Sequence, residues 1–472
     1  MTLVLRPLEP ALRRPWTRLC SLLLVFFLVA CGSNEQQVRF FTDFESGSIG
    51  EVKRIDDLGL SWQLALRNDN ENASLPNSFR TWWFVRAEQV PVGQNLRLEF
   101  TRLGFPYYFV PVYSYDGAGW QHFDESEVSL VPGCVVAVPD SCRIVVTKRF
   151  DAPTVWIART FPYTTKDLSA FLAEIASDPN VRIQTLGTSP AYRHPIQLFT
   201  ISYACFSAAR QALHRHARTH PAETGPSFVL EGLIRTVLAN DDLGRALRAR
   251  YVFRIVPMHN PDGVILGNYR TNAASTNLEN QWLNTQRTLL LDGQAPLENR
   301  LLNEFGMIPA ALDAQAPVVL ALNLHSSNSE PDTAAFFFPH FGSDPTRYSA
   351  EQQALWSRQL SFISDVARHY DGRIEQPPAE GGAGFLNSWF PETWWWTHRQ
   401  ESVNAITLET TYGRAGFDHW VRQDDLRELG VAVARAINDL SLKASGIARN
   451  AAVDDTPVFR LPFKPEIYLN RE

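Results

Sequence analysis

From Val38 to about Trp156 apolar and polar residues alternate in short runs, among them TWWFVRAEQV, NLRLEFTRL, YYFVPVYSY and CRIVVTKRF, broken by Gly, Pro, Asn and Asp. Alternate side chains of a strand point to opposite faces, so this period-two pattern predicts an antiparallel β-sandwich over residues 38–157. Beyond Phe161-Pro162 the period changes. DLSAFLAEIAS, SFVLEGLIRTVLA and EQQALWSRQLSFISDVARHY space their apolar residues as helices do, while IQLFTI, YVFRIVPM, PVVLALNLH and NAITLET are short apolar, strand-like runs. Their alternation predicts an α/β domain over residues 160–445, with a mixed or largely parallel sheet flanked by helices. Ligands of such sheets gather beyond the carboxyl ends of the strands. Residues 446–472 are punctuated by proline without periodicity and read as a surface tail.

The first thirty residues stand apart from this pattern. Arg6, Arg13, Arg14 and Arg18 face a single acid, Glu9, and then SLLLVFFLVA runs from Ser21 to Ala30 without a charge. The run is too short to span a bilayer as a helix and suits the apolar region of a secretory signal. Leu28-Val29-Ala30-Cys31 resembles a bacterial lipobox. The expectation is a lipoprotein signal over 1–30, a lipidated Cys31 that anchors the chain to a membrane, and a short linker over 31–37; a signal-anchor with a chance cysteine is the other reading. Gly32 after the cysteine points to the outer membrane, facing the periplasm.

Composition sharpens this picture. At 45% hydrophobic and 20% charged, the chain is neither disordered nor a multispan membrane protein. Its net charge of −6 becomes −9 once residues 1–30, with four arginines and one glutamate, are removed. That balance argues against nucleic-acid binding. In an oxidising compartment Cys134 and Cys142 can close a short loop as a disulfide, whereas Cys205, in ISYACFSA, reads as a buried inert thiol.

His220-Pro221-Ala222-Glu223 places an imidazole and a carboxylate three residues apart, just ahead of an amphipathic helix. By itself the tetrapeptide also suits a surface turn with a capping glutamate. PVVLALNLHSSNS, however, ends an apolar strand at His325, and NAITLETTYG does the same with Glu409. Hydrolytic zinc sites take three protein ligands from His and Asp/Glu and keep a fourth position for water. A strand-borne carboxylate in apolar surroundings is costly unless it is paired or functional.

ARTHPAETGPSFVLEGLI, VPMHNPDGVILGNYRTNAAS, LNLHSS and TLETTYG, in this order, resemble the zinc carboxypeptidase family, most closely its cytosolic-carboxypeptidase-like branch. That branch carries a β-sandwich ahead of the catalytic domain, and FTDFESGSIGEV with TWWFVRAEQV resembles its opening. The resemblance implies one Zn2+ per chain held by His220, Glu223 and His325, with Glu409 as general base for the activated water. It also implies Arg270 stabilising the oxyanion, Asn277 bonded to a ligating histidine, and a peptide substrate. Asn260-Pro261-Asp262-Gly263 is assigned turn chemistry and no catalytic role.

Two departures bear on substrate. Glu279 and Asn280 stand where the family has an Asn-Arg pair gripping the substrate's terminal carboxylate, so both are expected at the substrate. A guanidinium binds carboxylate through two parallel charge-assisted bonds, and Glu279 would repel one. Three readings follow: a shifted arginine such as Arg287 takes over; the enzyme cuts a peptide or amide bond with altered recognition of the terminus; or the zinc site binds and turns over poorly. No tyrosine lies between Tyr370 and Tyr412, where relatives place a capping tyrosine. Instead GGAGFLNSWFPETWWWTH offers a glycine-rich loop, and Trp389 with Trp394 to Trp396 either stacks on substrate or packs a helix. An envelope address makes peptidoglycan stem peptides a candidate substrate. The expectation is a zinc metallopeptidase, with a noncatalytic envelope binding protein as the competing class.

Overall fold

A computed structural model describes residues 37–131, 141–203, 211–282, 284–327 and 330–444. The leader, Cys31, Cys134, Cys205 and the tail from 446 lie outside the described residues. The first layers are built from ten strands: β1 (Arg39–Phe41), β2 (Val52–Arg54), β3 (Ser61–Ala65), β4 (Phe84–Glu88), β5 (Asn95–Thr101), β6 (Val112–Ser114), β7 (Gln121–His122), β8 (Val128–Leu130), β9 (Arg143–Arg149) and β10 (Thr154–Ala158). They form two five-stranded sheets, ordered β1-β4-β10-β6-β7 and β2-β3-β5-β9-β8. Pairing is antiparallel except between β3 and β5, which run parallel, a departure from the all-antiparallel expectation. Leu96, Leu98 and Phe100 alternate inward to meet Trp83, Val85 and Ile157 from the facing sheet. The neighbours on β4 and just before it turn the other way: Trp82 and Phe84 join the core of the following domain. TWWFV is therefore almost continuously apolar because its two faces serve two cores. Cys142 is buried and disulfide-bonded.

The remaining elements are α1 (Thr165–Ile175), β11 (Val181–Thr188), β12 (Pro195–Ile201), β13 (Gln211–Ala217), α2 (Gly225–Leu238), α3 (Asp242–Arg250), β14 (Tyr251–Val256), α4 (Pro261–Leu266), α5 (Leu297–Leu302), α6 (Ile308–Leu312), β15 (Val318–Ser326), β16 (Phe336–Phe338), α7 (Ala350–His369), α8 (Pro391–Arg399), β17 (Asn404–Thr410) and α9 (Gln423–Ala444). Local signals start them. Thr164 and Asp167 cap α1 reciprocally, as Ser349 and Gln352 cap α7. Asn260 caps α4, Pro261 opens it and Gly267, at φ 67°, closes it. The segment read as a turn is thus a helix start.

Seven strands form one mixed sheet, ordered β11-β12-β14-β13-β15-β17-β16. β14, β13, β15 and β17 are mutually parallel, while β12, β11 and β16 are added antiparallel. On one face Leu320, Leu322 and Leu324 of β15 meet α2, α7 and α9. On the other, Ala321 joins Trp394 and Trp395 of α8, Leu302 of α5 and Ala310 of α6. Trp394 and Trp395 are therefore packing residues. The expected loop glycines are pinned: Gly381 and Gly382 both donate backbone hydrogen bonds to Phe341 O, at 2.7 and 3.0 Å. The strand β13, central to the sheet, was absent from the sequence expectation, because QALHRHA carries three titratable side chains where a buried strand should be apolar.

Candidate active site

β13, β15 and β17 are parallel and in register, so their carboxyl ends lie at one edge of the sheet. His220 follows the end of β13, and His325 and Glu409 face each other in register near the ends of β15 and β17. The strand period puts Asn323 with His325, and Thr407 with Glu409, on the face that α8 covers. The loop carrying His220 and Glu223 is held from beneath by Arg218, at φ 58°. Its buried guanidinium donates to Pro221 O (2.9 Å), Tyr163 O (2.9 Å) and Ser227 Oγ (3.0 Å). Gly225 lets α2 begin against Ser326 and Thr410, whose hydroxyls occupy the space a Cβ would take.

His220, Glu223 and His325 are all buried, and one ligand atom from each lies within 4.8 Å of the others. His220 Nδ1 is 2.7 Å from Glu223 Oε1, and His325 Nδ1 is 2.8 Å from Glu223 Oε2 and 3.1 Å from His220 Nδ1. The Ser326 N–H donates to Glu223 Oε2 at 3.0 Å. Each imidazole is oriented from behind. His220 Nε2 is 3.0 Å from Asn277 Oδ1, an oxygen fixed as acceptor because the Glu279 N–H also donates to it at 3.1 Å. His325 Nε2 is 3.0 Å from Glu279 Oε2. Such outer bonds set the tautomer of a metal-ligating histidine.

This arrangement tests the fit of a metal. With its Nε2 proton donated to Asn277, a neutral His220 turns the Nδ1 lone pair toward a carboxylate oxygen, and two acceptors at that distance need a cation between them. The electrostatics agree. Although burial pushes Glu223 up, His220 and His325 hold it well below the usual carboxylate range. Burial and then the Arg270 charge push His220 down, whereas Glu279 and Glu223 overcome burial and push His325 up. Two imidazoles and an ionised carboxylate turned toward one buried point suit Zn2+.

Glu279 is not at a substrate-facing position. Its buried carboxylate is spent on His325 and, at 2.8 Å, on the Asn323 side chain, which also donates to Glu392 at 3.2 Å. Asn280 is exposed, with its Oδ1 accepting from Gln281 Nε2 at 3.0 Å, and Arg287 is exposed as well. Arg270 follows α4; its guanidinium lies 5.8 Å from the Phe79 ring centroid. One residue earlier, the Tyr269 phenol is pushed up to about 12 by burial, in the fields of Arg270, Glu223, Arg159 and Glu409. Sequence reasoning missed Asp69, which accepts three consecutive backbone N–H bonds around Arg270; nothing local to LRNDNEN marks a carboxylate whose partners lie some 200 residues away.

The fold and the site bring a buried His-Glu-His group that could hold a metal ion to the carboxyl edge of a mixed sheet. Residues 168–293 match the family model described as zinc carboxypeptidase. The chain is 28% identical over 437 residues to Cytosolic carboxypeptidase 2 of Macaca fascicularis, covering 86% of this chain and 48% of that one. It is 25% identical over 356 residues to Cytosolic carboxypeptidase 6 of Caenorhabditis elegans, covering 71% and 72%. The chain thus spans about half the length of the first of these relatives. In fold it is similar to a metallo-carboxypeptidase from Burkholderia cenocepacia, with TM-score 0.67, 21% identity and coverage of 87% of this chain and 100% of that chain. A metallo-carboxypeptidase from Pseudomonas aeruginosa, in complex with (2-guanidinoethylmercapto)succinic acid, aligns with TM-score 0.67, 19% identity and coverage of 85% and 99%.

Proposed function

We propose that the protein is a zinc-dependent peptidase that hydrolyses a peptide or amide bond without an arginine grip on the substrate's terminal carboxylate. The observation that carries this reading is the convergence of His220, Glu223 and His325 with Glu409 in register beside His325. A zinc ion held there supplies Lewis acidity, which polarises a carbonyl and makes water acidic enough to lose a proton near neutral pH. Asn277 and Glu279 orient the two imidazoles. Glu409 takes the proton from the attacking water and returns it to the leaving amine. Arg270 offers a fixed positive charge to the developing oxyanion, a contact stronger in the transition state than in the ground state. Glu279 is engaged with His325 and Asn280 is a neutral side chain, which supports altered recognition of the chain end. The leader supports export and lipid anchoring at Cys31 in a bacterial envelope, where peptidoglycan stem peptides are the substrate class at hand.

Metal analysis and mass-spectrometric screening of peptide and muropeptide libraries test the proposal. Purified protein should hold one zinc per chain, cleave members of the library, and lose hydrolysis in Glu409→Gln with zinc retained. A zinc-free sample, or hydrolysis indifferent to Glu409→Gln, would favour a noncatalytic binding protein. Much faster cleavage of free-acid peptides than of their amides would refute the altered terminus.

A further inference from the structure

The segment bearing Arg270 is held from the β-sandwich. Asp69 lies in a turn after β3, almost wholly buried at 3% exposure. Its Oδ1 accepts the Tyr269 N–H (2.6 Å), and its Oδ2 accepts the N–H groups of Arg270 (2.8 Å) and Thr271 (2.8 Å) and the Thr271 hydroxyl (3.0 Å). Three successive amides pointing at one carboxylate form an anion nest, here filled by a side chain from the preceding domain. The next residue closes the junction on both sides. Asn70 exchanges bonds with Asn268, its N–H reaching Asn268 Oδ1 at 3.0 Å and its Oδ1 accepting from Asn268 Nδ2 at 2.9 Å. Its own amide donates to Asn272 O (2.9 Å) and Ser275 Oγ (3.0 Å).

The backbone is bent to make these contacts. Asn70 and Glu71 are consecutive non-glycine residues at φ 53° and 57°. Such a pair persists only where its surroundings over-determine it, and it clusters at functional sites. Further contacts come from the same domain. Ser46 Oγ donates to Val264 O at 2.8 Å and Arg67 Nη2 to Leu266 O at 2.7 Å, fixing the end of α4. Gly267 comes so close to the backbone of Ser46 and Gly47 that a Cβ could not be placed. Phe79, also from the β-sandwich, lies beside the Arg270 guanidinium.

We propose that Asp69 is a positioning residue of the active site: filling the nest at Tyr269–Thr271, it aims Arg270 at the metal centre and makes the β-sandwich a working part of the peptidase. This rests on the peptidase reading above. A cation that stabilises an oxyanion must be aimed before the reaction, since misplacement by about 1 Å can cost on the order of 100-fold in rate. A plain interdomain staple would instead lower stability and leave the turnover of folded molecules alone.

The experiment compares Asp69→Ala, the milder Asp69→Asn, Arg270→Ala and the Asp69→Ala/Arg270→Ala double variant in the zinc-loaded full chain. Hydrogen exchange of the Tyr269–Thr271 amides should quicken by at least tenfold in Asp69→Ala, while exchange along β17 stays as it was. In Asp69→Ala, kcat should fall about 100-fold with KM changed less than threefold and zinc content unchanged; Asp69→Asn, keeping one acceptor oxygen, should fall between it and the wild type. The double variant should be no slower than Arg270→Ala alone, because a mispositioned arginine and an absent one are equivalent. Losses that multiply, unchanged exchange at Tyr269–Thr271, or a fully active Asp69→Ala would overturn the positioning role and leave the peptidase standing. Should Asp69→Ala fail to fold, Asp69→Asn carries the same comparison. Quickened exchange in an enzyme whose wild type hydrolyses nothing would remove the peptidase reading, and with it the catalytic half of the proposal.

Discussion

At the scale of residues, the four groups proposed to carry the chemistry were legible only together, because each alone has a plain structural explanation and the set does not. His325 and Glu409 end apolar strands, and His220 and Glu223 share one tight loop. Glu279 was not legible in the same way. Sequence position aligned it with a substrate contact, yet the turn Leu278–Asn280 swings its carboxylate under His325, and no one-dimensional spacing records that direction. The consequence is testable. Glu279→Gln removes the charge that faces His325 Nε2 while leaving an amide oxygen to accept its proton. Loss of such an outer partner costs about 10–100-fold in metal affinity. Zinc affinity, measured by competition with a chromophoric chelator, should fall in that range, and the ratio of free-acid to amidated peptide cleavage should stay fixed. A changed ratio with unchanged zinc affinity would restore Glu279 to the substrate.

At the scale of elements, α1, α2 and α7 and the strands β12, β14, β15 and β17 followed from periodicity, whereas the contacts that hold the site depend on glycines whose purpose appears only in three dimensions. Gly232, in the middle of SFVLEGLIRTVLA, looks like a flaw in a helix. In the fold it is where α2 meets α9: a Cβ on Gly232 would strike the Arg427 carbonyl, and one on Gly430 would strike the Val229 carbonyl. Two effects of opposite sign compete in Gly232→Ala. Helix propensity favours alanine by about 1 kcal/mol, while overpacking a well-filled contact costs about 1–3 kcal/mol. The obstacle is backbone, which cannot swing away as a side chain can, so the second term should win and the variant should be less stable by roughly 1–2 kcal/mol. Urea unfolding should show a lower midpoint at unchanged slope. Since α2 starts two residues after Glu223, zinc affinity should drop as well. Gly430→Ala should behave alike, and the pair should cost less than the sum of its parts, because one separation of the helices relieves both contacts. A stabilised Gly232→Ala would show that α2 and α9 are not locked at this crossing.

At the scale of the whole molecule, the two-part architecture was readable from the change of period near Phe161, but the polar interior of the central sheet was not. β13 threads His214, Arg215 and His216 through the middle of the protein, all buried. His214 lies with its ring centroid 5.6 Å from Trp395, and His259 lies 6.0 Å from Trp282. Burial, then the charges of Arg254 and Arg215, hold His214 down to about 3, and burial holds His259 down to about 4. Unfolded, both would return to a value near 6.5. Above that pH both are neutral in either state and contribute no pH dependence. As the pH falls below 6.5 the unfolded chain binds a proton at each site and the folded protein does not, so stability drops by up to about 1.4 kcal/mol per pH unit for each histidine. From pH 6.5 to 4.5 the two together can remove about 4 kcal/mol, close to the lower end of the 5–15 kcal/mol that a typical fold commands. Unfolding free energies measured at a series of pH values should therefore decline steeply toward pH 4.5. In His214→Gln the slope should lessen by about one proton, whatever that substitution does to stability at pH 7, and comparing the variant with wild type at equal zinc cancels the metal site's own titration. If the two slopes coincide, His214 is already protonated in the folded protein, and its place beside Trp395 then has to accommodate a charge.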